Sequence, residues 1–242
     1  MLHLKEVNLL SDQYPTRDHY PFNINVLRQT GSIPFLSPVT FFIGENGSGK
    51  STLLEALARR CQIHIWQGVD CTRSKPNPYE ETLFLYLKIE WRDGMVPGSF
   101  FSSQIFRNFA QLVDMWEADN PGQIDYFGGK SLLTQSHGQS LMSFFKARYK
   151  IKGLYLLDEP ETALSPKSQL QLLKLLQDMS ALGHAQFIIA THSPILLACP
   201  GSVIYSFDYT PVKTVHYEDT EHYQIYKSFM EDSGRYLKGR SS

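Results

Sequence analysis

The sequence predicts an α/β fold, with a mostly parallel sheet flanked by helices, an antiparallel β portion and a small helical subdomain. Three observations predict it. Short, largely apolar runs at residues 39–43, 153–157 and 185–190 read as strands covered on both faces, as in parallel sheets. Helical patterns alternate with these runs. The three sharpest motifs, at Gly44, Asp158 and His192, each stand at the end of an apolar run, and open α/β sheets bind ligands at the carboxyl ends of their strands.

Along the chain, residues 2–7 alternate apolar and polar side chains and read as a first strand. Residues 22–27 read as a second, after a polar and aromatic loop over 14–21. Residues 31–38 are a turn-rich link into the strand at 39–43. A glycine loop follows, and then Leu53 to Ala58, a helix by propensity. Residues 68–81, rich in Pro, Asn and charge, read as a surface loop. Residues 82–91 read as a strand with Leu83, Leu85, Leu87 and Ile89 on one face, and Arg92-Asp93-Gly94 is a turn.

Residues 100–116 read as a helix whose Phe106, Phe109, Leu112, Val113 and Trp116 form a core-packing stripe. Asn120-Pro121-Gly122 ends it. Gly129-Lys130-Ser131 lacks an upstream glycine and a preceding β run, so it is no second phosphate loop. Residues 141–145 are helical. Residues 165–181 form a strong helix, with Ser165 as N-cap, Pro166 in the first turn and Gly183 as its stop. Residues 203–207 and 212–216 make a hairpin, 218–230 a helix, and the polar tail after Ser233 frays.

With 242 residues and 42% hydrophobic content the chain can bury a core without staples. We expect one domain over 1–242, its core at about 1–95 and 150–210 and its helical subdomain at about 98–150. A formal net charge of −1 excludes a global basic field for nucleic acid. Cys61, Cys71 and Cys199 suggest neither a disulfide framework nor a metal pattern, so a cytoplasmic location is expected. The start resembles no signal peptide, and no run is long enough to span a bilayer.

Gly44-Glu45-Asn46-Gly47-Ser48-Gly49-Lys50-Ser51-Thr52 has the pattern G-x-x-x-x-G-K-[ST] between a strand and a helix. That context turns backbone N–H groups toward a polyphosphate. Lys50 reaches the β- and γ-phosphates as a mobile cation, and the Ser51 hydroxyl suits Mg²⁺. Asp158 ends an apolar strand, where a carboxylate is costly to bury without a partner such as Mg²⁺. Glu159 can reach an attacking water; as general base it is worth roughly 10²–10⁴-fold in rate.

Asp158-Glu159-Pro160 after four apolar positions, together with the Gly44–Thr52 loop, resembles the ATP-binding-cassette (ABC) ATPases, a P-loop NTPase fold. Ser136-His137-Gly138-Gln139 resembles their signature motif, departing at His137 where glycine is usual. Glu161 to Ser165 resembles the D-loop, His192 in Thr191-His192-Ser193-Pro194 the switch histidine, and Gln104 the Q-loop glutamine, a metal-site residue. Cassettes of this kind often stack adenine on an upstream aromatic, here Tyr20; Arg17 could stack instead, and a core role suits Tyr20 as well.

The resemblance spans about residues 2–207 and looks closer to small soluble bacterial ABC/AAA-type ATPases, and to the ATPase heads of DNA-repair proteins, than to transporter cassettes. The long heptad inserts of those heads are lacking. The resemblance implies a homodimer that sandwiches two ATP molecules head to tail. Lys50 and Ser51 of one subunit hold phosphates and metal, Ser136 and Gly138 of the other complete the γ-phosphate site, Glu159 activates water and His192 steadies the γ-phosphate. A soluble ATPase switching a nucleic-acid or protein partner is expected, and the nucleotide-binding subunit paired with a membrane permease is the alternative. Glu159 speaks against a scaffold without turnover.

Overall fold

The structure is a computed structural model that describes residues 2–66, 77–122, 124–127, 129–131, 133–134 and 137–237. Its elements run β1 (Leu4–Leu9), α1 (Asn25–Gln29), β2 (Ser32–Pro34), β3 (Val39–Ile43), α2 (Lys50–Arg60), β4 (Leu87–Trp91), β5 (Gly98–Ser102), α3 (Ser103–Asp119) and α4 (His137–Arg148). There follow β6 (Gly153–Asp158), α5 (Pro166–Ala181), β7 (Ala185–Ala190), α6 (Pro194–Leu197), β8 (Val203–Ser206), β9 (Lys213–Val215), α7 (Glu221–Glu231) and α8 (Gly234–Leu237).

Two sheets result. The larger has the order β5-β6-β7-β3-β8-β9, parallel throughout except for β9, which returns antiparallel to β8. The smaller is antiparallel with the order β2-β1-β4. This is the mixed, mostly parallel α/β architecture expected.

The apolar runs explain the layering. Phe41, Phe101, Tyr155, Leu157, Phe187 and Ile189 point into a core shared with α3, α4 and α5. Their neighbours Phe42, Phe100, Leu154, Leu156 and Ile188 point the other way, into a core shared with α2 and the antiparallel sheet. Alternating side chains on one strand thus enter two cores, and both faces must be apolar. The two sheets are also joined by a polar tie: Gln186, fully buried in β7, accepts from His3 N (2.7 Å) and Leu4 N (2.8 Å) and donates to Leu4 O (3.0 Å).

Several segments differ from the sequence reading. Residues 25–29, which begin inside the expected second strand, are helical. The Phe22, Ile24, Val26 alternation suggests a strand, yet Ile24 and Leu27 lie against Gly49 of the glycine loop, so packing overrides the local pattern. Residues 83–86 form a 3₁₀ turn with Leu83 buried and Leu85 exposed, and only Leu87–Trp91 is strand. Residues 98–102 are not helix but β5, paired with β6. A Cβ on Gly98 would meet Leu154 O at 2.3 Å, so only glycine allows that approach. Within the expected link, residues 32–34 pair with β1, and within the expected tail, residues 234–237 are helical. Most of the expected loop at 68–81 lies outside the described residues.

Candidate functional site

The glycine loop leaves β3 at its carboxyl end and enters α2 at Gly49, the N-cap, with φ +101°. Gly44, at φ +144°, permits a close approach: a Cβ there would stand 3.0 Å from both Asp208 Oδ1 and Ser48 Oγ. Asp208 is there because β8 pairs with β3 in the register Ile43↔Ser206, which carries the chain just beyond β8 to the loop. Its Oδ1 accepts from Glu45 N at 2.7 Å, and its Oδ2 accepts from Ser206 Oγ at 3.2 Å. Lys50 is buried, and its Nζ donates to Gly44 O (2.5 Å) and Glu45 O (3.0 Å). Burial lowers its pKa, while Glu159, Asp208, Asp158 and Glu45 each work to raise it.

α2 carries Ser51 toward the end of β6, where Ser51 Oγ donates to Asp158 Oδ1 at 2.8 Å. Burial pushes the Asp158 carboxyl up to about 6, against the lowering effect of the Ser51 hydrogen bond; Glu159 adds to the rise and Lys50 opposes it. Glu159 follows in left-handed backbone (φ +45°, ψ +53°), a strained conformation for a residue with a side chain. Its N–H donates to Ala190 O at 2.9 Å, which ties the end of β6 to the end of β7.

Two residues past β7, His192 N donates to Glu161 Oε1 at 2.6 Å. The His192 ring has its Nε2 3.8 Å from Glu159 Oε1 and its Nδ1 2.9 Å from His222 Nε2 on α7. His192 Nε2 is buried without a hydrogen-bond partner. Burial lowers the pKa of both histidines, so the pair favours the neutral form. The next residue, Ser193, caps α6 and donates to Gln169 Oε1 at 2.6 Å.

A cleft of about 620 Å³ opens on this cluster, lined by Gly44, Glu45, Asn46, Gly47, Glu159, His192 and Asp208 and, from α7, by Glu221, His222, Ile225 and Tyr226. The structure therefore brings the loop, Lys50, Ser51, Asp158, Glu159 and His192 together. On the flank of the same helix, Tyr20 OH lies 3.1 Å from Thr52 Oγ1. Gln104 is the second residue of α3, two past Ser102, which pairs with Asp158 across β5 and β6. Gly138 and Gln139 lie in the first turn of α4 and line a different groove of about 470 Å³, with Lys130, Lys146 and Ser168. Ser136 lies outside the described residues. The sequence reading missed Asp208, two residues past the end of β8, and His222; it named Glu161 only within the D-loop resemblance.

Among the described residues, no group of three or more His, Cys, Asp or Glu side chains could hold a metal ion. A hydroxyl and a carboxylate in contact, with the carboxylate largely buried and its ionisation disfavoured, fit a hard cation that takes its other ligands from phosphate oxygens and water. Among the described residues no helix is long and apolar enough to cross a membrane.

The chain is similar to the following known proteins. The family model described as "AAA domain, putative AbiEii toxin, Type IV TA system" matches residues 107–198, and one described as "AAA domain" matches residues 22–59. The chain is 25% identical over 172 residues to the thiamine import ATP-binding protein ThiQ of Ruegeria sp. (strain TM1040), covering 63% of this chain and 69% of that protein. It is 24% identical over 208 residues to the phosphonates import ATP-binding protein PhnC 2 of Synechococcus sp. (strain JA-2-3B'a(2-13)), covering 77% and 75%. A nucleotide-free ATP-binding cassette from an ABC transporter superposes with a TM-score of 0.54 at 13% identity, covering 99% of this chain and 100% of that one. That likeness is one of fold.

Proposed function

We propose that this chain is an ABC-type ATPase that binds and hydrolyses Mg·ATP as a nucleotide-sandwiched dimer and uses the cycle as a conformational switch. The observation that carries the reading is the convergence of Lys50, the Ser51–Asp158 contact, Glu159 and His192 at three adjacent strand ends, beside a cleft that Glu159, His192 and the glycine loop line. In this reading Lys50 exchanges two loop carbonyls for β- and γ-phosphate oxygens, and the loop N–H groups hold the rest of the phosphate chain. Ser51 and Asp158 hold Mg²⁺, with Gln104 as a further candidate ligand; when bound, the ion neutralises charge on the transferring phosphoryl group. Glu159 takes a proton from the attacking water, and His192 Nε2 donates to the γ-phosphate. Tyr20 stacks on adenine.

Gly138 and Gln139 face a different groove from the phosphate loop, which supports a site completed by the Ser136–Gln139 segment of a second copy. Its helix start would then place a positive dipole end on the γ-phosphate. We place the protein in the cytoplasm and keep the single-domain organisation, with residues of about 98–150 as the helical subdomain. The test is steady-state ATP hydrolysis by the purified chain, alone and with single-stranded DNA, duplex DNA or RNA. Turnover stimulated by nucleic acid would identify the partner class; absence of turnover at every protein concentration would defeat the self-sufficient homodimer.

A second reading, the ATP-binding subunit of an importer, is favoured by one finding, the two curated relatives named for thiamine and phosphonates import. Co-purification of the chain with a membrane permease encoded beside its gene would decide for it.

A further inference from the structure

We propose that His222, on the C-terminal helix α7, is a positioning residue for His192: it fixes the tautomer and direction of that ring and so couples the placement of α7 to hydrolysis. The kinetic part of this inference rests on the ATPase reading above; the structural part does not.

His192 Nδ1 and His222 Nε2 are 2.9 Å apart, so one must donate and the other accept. His192 Nε2 faces Glu159 Oε1 at 3.8 Å. A bare ring nitrogen there would turn its lone pair toward a carboxylate, whereas an N–H would be attracted to it. The favoured tautomer of His192 therefore carries its proton on Nε2 and accepts at Nδ1, and His222 Nε2 must be the donor. Lys50, one of the charged groups facing the pair, disfavours protonation of both rings; Glu45, which faces both, Glu159 beside His192, and Asp208 and Glu221 beside His222 act the other way, but burial is the largest influence on each and keeps the pair neutral. The outcome is a neutral His192 whose buried, unpartnered Nε2–H is available to a phosphate oxygen in the cleft.

The donor does not sit on a free tether. Thr220, almost fully buried, caps α7 by accepting from Tyr223 N at 3.3 Å. Just upstream, Tyr217 OH donates to Pro194 O at 2.9 Å, two residues beyond His192. The α7 start is thus tied to the switch loop twice, once through the His222 ring and once through Tyr217. A movement of α7 would turn the His192 ring or release its Nδ1 to take the proton itself.

The test uses the full chain labelled with ¹⁵N-histidine. Two-bond ring spectra of the nucleotide-free protein read the tautomer directly. His192 is expected as the Nε2–H form in the wild type and in His222→Gln, whose amide can still donate, and as a mixture in His222→Ala. An Nδ1–H form in the wild type, or a spectrum unchanged in His222→Ala, overturns the proposal whether or not the protein turns over ATP. In steady state, His222→Ala is expected to lower kcat by about 10–100-fold with KM for ATP within about threefold, and His222→Gln to recover most of it. Equal loss in both variants overturns the positioning role. No turnover in the wild type defeats the ATPase reading and leaves the tautomer result to judge His222.

Discussion

The phosphate-loop cleft and the α4 face are built differently. In the cleft, side chains from β6, α2 and α7 and from the loops after β3, β6, β7 and β8 meet, and most polar atoms are bonded to another element: Lys50 to its own loop, Ser51 to Asp158, Glu45 N to Asp208, His192 N to Glu161. The α4 groove instead draws Gly138, Gln139, Met142, Ser143 and Lys146 from one helix, with a few residues opposite. One region is a finished cage; the other presents a single helix end. The difference is what the proposed sandwich predicts: the cleft holds its polar groups within one chain, whereas the Gly138–Gln139 helix start faces away from it.

Four experiments would break or sharpen that contrast. The largest effect is expected from Glu159→Gln, which should lower turnover by roughly 10²–10⁴-fold while leaving ATP binding intact. In sedimentation with Mg·ATP this variant should run as a dimer; a persistent monomer at high concentration would erase the distinction between the two faces. Lys50→Ala should cost about 10²–10³-fold in turnover and, unlike the first variant, should also weaken binding of a fluorescent ATP analogue.

On the other face, Gly138→Asp should leave nucleotide binding unchanged. A Cβ at Gly138 meets only Ser168 Oγ at 3.6 Å and Ala163 O at 3.8 Å, so the fold tolerates a side chain there. Turnover should nevertheless fall about tenfold or more, because a carboxylate at the helix start repels the γ-phosphate of the other subunit. Loss of binding in this variant would place Gly138 in the same cleft as Lys50.

The smallest effect concerns pH. Both His192 and His222 have folded pKa values lowered by burial, so their stabilising contribution is present above the unfolded value near 6.5 and is lost as pH falls from there through the lower folded values. Thermal melts at pH 7.5 and 5.5 should show His222→Gln losing less stability on acidification than the wild type, by on the order of 1 °C. An equal loss would mean that the pair does not resist protonation.

The parts of the site readable from sequence are those whose chemistry is local. The glycine loop, Asp158-Glu159 and His192 each lie within a few residues of an apolar run, so pattern and motif reinforce one another. Ser165 as N-cap was legible for the same reason, and it accepts from Ser168 N. Asp208 was not legible, because its partner Glu45 is 163 positions away and only the β3–β8 register brings them together. His222 carries no motif; it matters because α7 lies beside the loop after β7. The misread helix start at 100–102 has a related cause. Phe100 and Phe101 enter opposite cores, so two adjacent aromatics carry neither a helical nor a one-sided strand period. Residues 22–27 failed in the reverse sense, since their alternation is genuine and packing against Gly49 overrode it.

The tie made by Gln186 has a mechanical consequence. A side-chain amide that grips both N–H groups and a carbonyl at the head of β1 acts as a rivet between two plates. β7 carries that rivet at its second residue and the Thr191-His192 segment just past its far end. The antiparallel sheet and the Thr191-His192 segment are thereby fastened to opposite ends of one strand.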